Sequence, residues 1–530
     1  MSTRFRFMPA SLSSVLPSSA LFLALSLGVV ALVTFRSSLQ AQDSPPANAA
    51  KIAAPVTEDT WQSLYLAGQK IGYTHTVIET MMVGGRDVIR TSTETNMSIQ
   101  RFGQSLVMKQ SGTTEETVDG SLIGFRSQMD NPPAASSTTI GNVNGAELRL
   151  EETVNGKIKR SVQPWRAEVK SPAYQDRVLR ISPLKPNESR SFEAFLPEFK
   201  KVSMIHLTAG DWSEVALLDG QKHRLMSVKV TQAVLPGIVL TGFVDEHGET
   251  LKTSTNMLGV EMVTYQVSKA EALKAIEGKQ LDLAISTLVK VARIPNAHET
   301  KRIVYRVTTI GQDDPTAAIP SGGTQTVKRT EPQQGDLIVT ALPIPPATDT
   351  NPAPGKPVGE EFTAASQYLQ RDDERVQQHA IRAAGDEMHP SQIARRMEQY
   401  VQKSLTKKNF STAMASAGEV AKTLEGDCTE HAVLLAAMLR AKGIPSRVVV
   451  GLVYVELNNA PVFGGHMWTE AYLAGQWVPL DATLGRGGIG AAHIKLSDSS
   501  LSDDGPAALS SFAPLMLVIG QLKLEVVSIE

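Results

Sequence analysis

The sequence predicts a multidomain α+β protein: an antiparallel β-rich N-terminal region, a curved sheet or half-barrel, followed by a compact α+β domain at the C-terminal end. Three observations carry this prediction. Residues 61–267 alternate in short segments punctuated by Gly84-Gly85, Asp119-Gly120, Asn155-Gly156, Asp219-Gly220 and His247-Gly248, the chemistry of tight hairpin turns. Residues 343–357 are Pro-rich and read as a linker. Beyond them, an apolar helix-like run headed by Cys428 is followed by alternating strand-like segments.

In chain order, Arg4 and Arg6 precede an apolar stretch over residues 20–35, the pattern of a signal peptide or signal anchor within 1–41. It predicts export to the periplasm or the exterior, with cleavage near 37–41 or retention as an inner-membrane anchor. An Ala/Pro-rich tether, 42–58, leads into the β-rich domain, 59–295, whose opening from Gly68 to Glu79 alternates like a half-buried strand. Such a sheet suits a substrate, a lipid-like ligand or a partner protein, and equally a scaffold. Residues 269–293 carry Ala, Leu, Ile and Lys at helical spacing. Residues 296–342 read as a small β module with strands at 302–309 and 336–340. The linker, 343–359, precedes the last domain, 360–530, which opens with helical composition to 405, interrupted at His389-Pro390. The tail, 515–529, alternates weakly and reads as a final strand.

Composition narrows the function classes. The chain has 52 basic and 54 acidic residues, so no net field favours nucleic acid. A single cysteine excludes intramolecular disulfides and paired-cysteine zinc sites, and no acidic calcium loop or Gly-rich phosphate loop stands out. No cofactor or metal is therefore expected.

The lone Cys428 sits where local chemistry can activate it. Asp427 is placed as an N-cap and Glu430 follows at capping-box spacing, so Cys428 occupies the first helical turn, where the positive end of the helix dipole favours a thiolate. Val433, Leu434, Leu435, Ala436, Met438 and Leu439 are apolar around nearly the whole circumference, which predicts a buried helix. Gly443 and Pro445 end it, and residues 447–455 continue as a β-branched strand. Residues 458–465 read as a loop that shapes pocket walls. From His466 the sequence alternates, with His466, Trp468, Glu470 and Tyr472 on one face. If Ala474 and Gly475 form the turn, Leu473 pairs with Gln476, and Asp481 falls opposite Trp468 as the diagonal neighbour of His466.

The motifs Gly426-Asp427-Cys428, Leu439 to Val448, His466-Met467-Trp468-Thr469-Glu470 and Trp477-Val478-Pro479-Leu480-Asp481-Ala482-Thr483 resemble the transglutaminase-like superfamily across roughly residues 365–500. The resemblance implies a papain-like fold and a catalytic triad of Cys428, His466 and Asp481. It implies thiol-dependent acyl transfer at amides of a protein or peptide substrate, with hydrolysis by a cysteine peptidase or amidase, or a non-catalytic binding module, as the alternatives. Residues 409–412 are the place to seek a second oxyanion donor beside the Cys428 amide. Trp468, Trp477 and Tyr472 read as core or cleft wall, His431 as structural, and Glu470 either as a buried polar partner or as a substrate contact.

Overall fold

The computed structural model describes residues 57–530 apart from 131–135, 311–318, 348–356, 504–510 and positions 155, 236, 258, 279 and 413. The leader, nearly all of the tether and the middle of the Pro-rich linker lie outside the described residues, as do the readings on export, cleavage and anchoring that rest on them. Among the described residues, no helix is long and apolar enough to cross a membrane.

Alternation and turn chemistry build a fourteen-stranded antiparallel sheet. Eight strands, from Thr57–Leu66 to Lys157–Pro164, form one meander, and six, from Ser189–Leu196 to Val260–Val267, form another. The two join where the first strand pairs with the last, Leu64 opposite Thr264. The edge strands Lys157–Pro164 and Ser189–Leu196 remain unpaired with each other, so the sheet is open. Gly85, Gly220 and Gly248 turn at φ of 78°, 79° and 76°, a region an L side chain rarely enters.

The helical pattern over 269–293 does not become a long helix. Among the described residues, two four-residue turns form, Lys269–Ala272 and Leu283–Ser286, and then a two-residue strand, Val289–Lys290. Tertiary contacts override local propensity here. Lys70 Nζ donates to the carbonyls of Glu271, Ala272 and Lys274, ending the first turn against the sheet. Asp282 caps the second turn and also accepts from the backbone amides of Phe102 and Gly103.

Arg302–Thr309, Gln325–Glu331 and Gln334–Thr340 form a small sheet completed by the chain's last strand, Leu522–Ile529. This sheet packs on the C-terminal domain: Tyr305 stacks edge-on to Phe463 at 5.6 Å and donates its hydroxyl to the Ala491 carbonyl at 3.1 Å.

The C-terminal domain sets helices against a sheet, four of them before the strand Ser446–Leu457 and a short one, Ala513–Val518, after the strand His493–Ser499. The four are α1 (Glu374–Ala384), α2 (Pro390–Ser404), α3 (Ala417–Thr423) and α4 (Cys428–Ala441). Pro390 takes the first position of α2, where its missing N–H costs nothing, and His389 caps it. The five strands are β1 (Ser446–Leu457), β2 (Ala460–Leu473), β3 (Gln476–Leu480), β4 (His493–Ser499) and the short Val289–Lys290, with β4 on the far edge of β1 and both β3 and Val289–Lys290 pairing with β2. The loop expected over 458–465 is instead a tight turn. Asn458 and Asn459 at φ of 50° and 64° close the hairpin, and β2 begins at Ala460 because Val462 and Phe463 pair with Val455 and Tyr454.

Helix α4 is the centre of the domain. Leu434, Leu435 and Leu439 are fully buried, and truncating any of them to Ala should cost about 2–5 kcal/mol. It ends in a Schellman arrangement, with the Gly443 amide on the Arg440 carbonyl and the Ile444 amide on the Leu439 carbonyl. The Thr469 hydroxyl donates to the Ala432 carbonyl at 2.9 Å, tying α4 to β2. One continuous apolar core runs from Leu64 and Ile99 of the large sheet through Tyr305 of the small one to Leu434 of α4.

Candidate active site

Cys428 is the first residue of α4, and its cap is complete. Asp427 accepts from the Thr429 amide at 2.8 Å, and Glu430 returns its Oε2 to the Asp427 amide at 2.9 Å. Glu430 also accepts from the Ala415 amide at 3.0 Å, linking the helix to the segment before α3. Burial, reinforced by neighbouring Asp427, holds the Glu430 carboxyl well above the usual carboxylate range. Gly426 is required for this geometry: its φ is 149°, and a Cβ there would stand 2.4 Å from the Glu430 Cβ.

The hairpin of β2 and β3 brings His466 and Asp481 together. Leu473 pairs with Gln476 and Thr469 with Leu480, so Asp481 leaves β3 beside the face that carries His466. His466 Nε2 donates to Asp481 Oδ2 at 2.8 Å. That leaves Nδ1 for the Cys428 thiol, with which His466 interacts, and Nδ1 has no other hydrogen-bond partner among the described residues. Burial alone would depress the His466 imidazolium. The Asp481 carboxylate and the Cys428 sulfur outweigh it and lift the group to about 10. Asp481 is held well below the carboxylate range: burial opposes this, but His466 and hydrogen bonds from His466 and His493 prevail.

The surroundings are dry. Cys428 and Asp481 are 0% exposed and His466 is 1% exposed. Trp468 stacks beside His466 with ring centroids 6.2 Å apart. Tyr472 and Trp477 contact each other, and Trp477 also packs against Phe362 and under the Arg447 guanidinium. His431 donates Nδ1–H to the Asp427 carbonyl at 2.6 Å and is pushed down to about 4 by burial. Glu470, left open between two roles by the sequence, is a buried ionic partner: it pairs with Arg447 at 2.7 Å and Lys495 at 2.9 Å. In the 409–412 stretch, Asn409 Oδ1 accepts from the Ser411 amide at 2.9 Å, and the Phe410 amide donates to Gln104.

Three participants escape sequence reasoning. His493 Nε2 donates to Asp481 Oδ2 at 3.1 Å, and burial pushes this imidazole down, so it is a neutral donor. Glu398, on α2, accepts the backbone amide of Asp481 at 2.9 Å and that of Gly488 at 3.1 Å, and burial lifts it to about 8. Arg101, from the large sheet, pairs with Asp427 at 2.8 Å. None shares a local pattern with Cys428. The only available signals were a His at the start of a strand and a Glu on an amphipathic helix.

His466, Asp481 and His493 hold three donor atoms within 4.8 Å of one another, close enough to ligate a cation. Asp481 Oδ2 already accepts a hydrogen bond from each imidazole, which accounts for the cluster without an ion.

Comparison with known proteins agrees with this geometry. Residues 377–482 match the transglutaminase-like superfamily. No curated protein matches the chain. Among solved structures, a candidate cysteine protease from Cytophaga hutchinsonii is 18% identical, covering 38% of this chain and 80% of its own, with a TM-score of 0.24. The periplasmic domain of TgpA from Pseudomonas aeruginosa, bound to ethylmercury, is 14% identical over 35% of this chain and 91% of its own, with a TM-score of 0.22. A β-barrel-like protein of a domain family of unknown function from Brucella abortus is 13% identical over 41% of this chain and 96% of its own, at 0.31. None of these superpositions is close enough to add to the family match.

Proposed function

Starting from the transglutaminase-like core that residues 377–482 form, we propose that the chain is a thiol acyl-transfer enzyme acting on amides of a protein or peptide substrate, with Cys428 as nucleophile. The observation that carries this reading is the disposition of His466, with Nε2 bound to Asp481 and Nδ1 left for the thiol at the head of α4.

The proposed reaction follows from those positions. The Cys428 thiolate attacks an amide carbonyl, and the backbone amide of Cys428, at a helix position with no intrahelical acceptor, donates to the oxyanion. As the C–N bond breaks, the His466 imidazolium protonates the departing amine and a thioester remains. Neutral His466 then takes a proton from the incoming acceptor, the acyl group moves to it, and the thiolate is regenerated. Asp481 holds the imidazole by its Nε2 and stabilises its cation throughout.

Burial of Cys428 and His466 supports transfer to an amine over hydrolysis, because a dry thioester waits for an acceptor. The leader pattern supports an exported setting for this chemistry. Incubating the protein with a glutamine-bearing protein and a dansylated primary amine tests the reading. Incorporation of the amine, lost in Cys428→Ala, supports transfer. Cleavage or deamidation without incorporation assigns hydrolysis, and no Cys428-dependent product refutes both.

A further inference from the structure

The strand Arg86–Arg101 of the large sheet ends in a turn at Phe102 and Gly103, with φ of 45° and 75°, before Gln104–Thr117 returns. This tip enters the C-terminal domain. Arg101 is only 2% exposed, and a guanidinium is seldom so buried unless it is paired. Its Nη2 donates to Asp427 Oδ2 at 2.8 Å and its Nη1 to the Phe410 carbonyl at 3.0 Å. The guanidinium also lies 5.7 Å from the centroid of the Phe410 ring. Gln104 accepts the Phe410 amide at 2.9 Å, and Asp282 holds the tip from behind through the Phe102 and Gly103 amides.

We propose that Arg101 is a positioning residue of the thiol site, through which the N-terminal sheet holds the cap of the nucleophile helix and neutralises the carboxylate adjacent to Cys428. The inference rests on Cys428 being the nucleophile. Asp427 must stay at the head of α4 to cap it, yet its charge opposes a neighbouring thiolate. The other groups facing the thiol do not fully cancel that charge. Burial keeps Glu430 and His431 neutral, and His466 is matched by Asp481. Lys408 interacts with Cys428 and Asp427 and supplies part of the compensation, with burial working against its charge. The guanidinium of Arg101, planar and permanently cationic, is bonded directly to the carboxylate. The large sheet thus contributes a working part of the site.

The rate of Cys428 alkylation by iodoacetamide at pH 7, in the full chain, tests this without competing thiols, because the chain has one cysteine. Arg101→Met should slow alkylation about tenfold, because the carboxylate beside the sulfur loses its compensating charge. The double variant Arg101→Met/Asp427→Asn should recover to within about threefold of the parent, because Asn caps as well as Asp and carries no charge. An unchanged rate in Arg101→Met, or a double variant no faster than Arg101→Met, overturns the proposal. If Arg101→Met does not fold, Asp427→Asn carries the test: it should alkylate at least as fast as the parent, and a slower rate overturns the proposal. A different result, parent alkylation unaltered by His466→Ala, refutes the nucleophile reading itself.

Discussion

His493 and His466 share one oxygen: both donate Nε2–H to Asp481 Oδ2, at 3.1 and 2.8 Å. The second donor restrains the carboxylate that orients the first imidazole. Removing it in His493→Phe deletes a buried hydrogen bond to a charged group, worth about 1.5–3 kcal/mol, and should lower Cys428-dependent turnover about ten- to a hundredfold. Asp481→Asn should be more severe, on the order of a thousandfold, because it disturbs the His466 tautomer. Steady-state kinetics should assign both losses to kcat rather than KM.

Glu398 predicts a pH-dependent gain. Its folded-state value of about 8 lies above the 4.5 of an ordinary Glu, so its contribution to stability is complete below 4.5 and is lost as pH rises toward 8. Glu398→Gln keeps the carbonyl that accepts the Asp481 and Gly488 amides. Between pH 4.5 and 7 the variant should therefore gain about 3 kcal/mol relative to the parent in urea unfolding. Parallel stability curves would contradict this.

His431 has the opposite sign. Its folded value of about 4 lies below the unfolded 6.5, so the stability it supplies is present above 6.5 and is lost as pH falls toward 4. Over that interval the parent should lose about 3 kcal/mol more than His431→Gln, which cannot titrate. Denaturant titrations of the pair at pH 7, 5.5 and 4 provide the comparison.

Local chemistry made much of this legible in the sequence. The Ala474-Gly475 turn sets the β2–β3 register and with it the meeting of His466 and Asp481, and Asp427 with Glu430 marks the start of α4 three residues apart. The Gly-containing pairs punctuate the large sheet for the same reason: each requires only its own backbone. Arg101 lies 326 positions from Asp427 and Glu398 lies 83 from Asp481, and no periodicity spans such distances. The helical spacing over 269–293 yields only short turns because contacts from outside the window intervene: Lys70 takes the carbonyls that end the first turn, and the Phe102 and Gly103 amides hold Asp282, which caps the second. Cys428, the first clue, was readable by type and cap, whereas its complete burial follows from packing of the whole domain.

The most direct test of the central claim is the rate of Cys428 alkylation by iodoacetamide at pH 6, compared between the parent and His466→Ala. An ordinary thiol, with a pKa of about 8.5, is well under one per cent ionised there. The His466 imidazolium, retained up to about pH 10, should keep the sulfur reactive in the parent. The account predicts a loss of about tenfold or more in His466→Ala. Equal rates in the two folded proteins would contradict it.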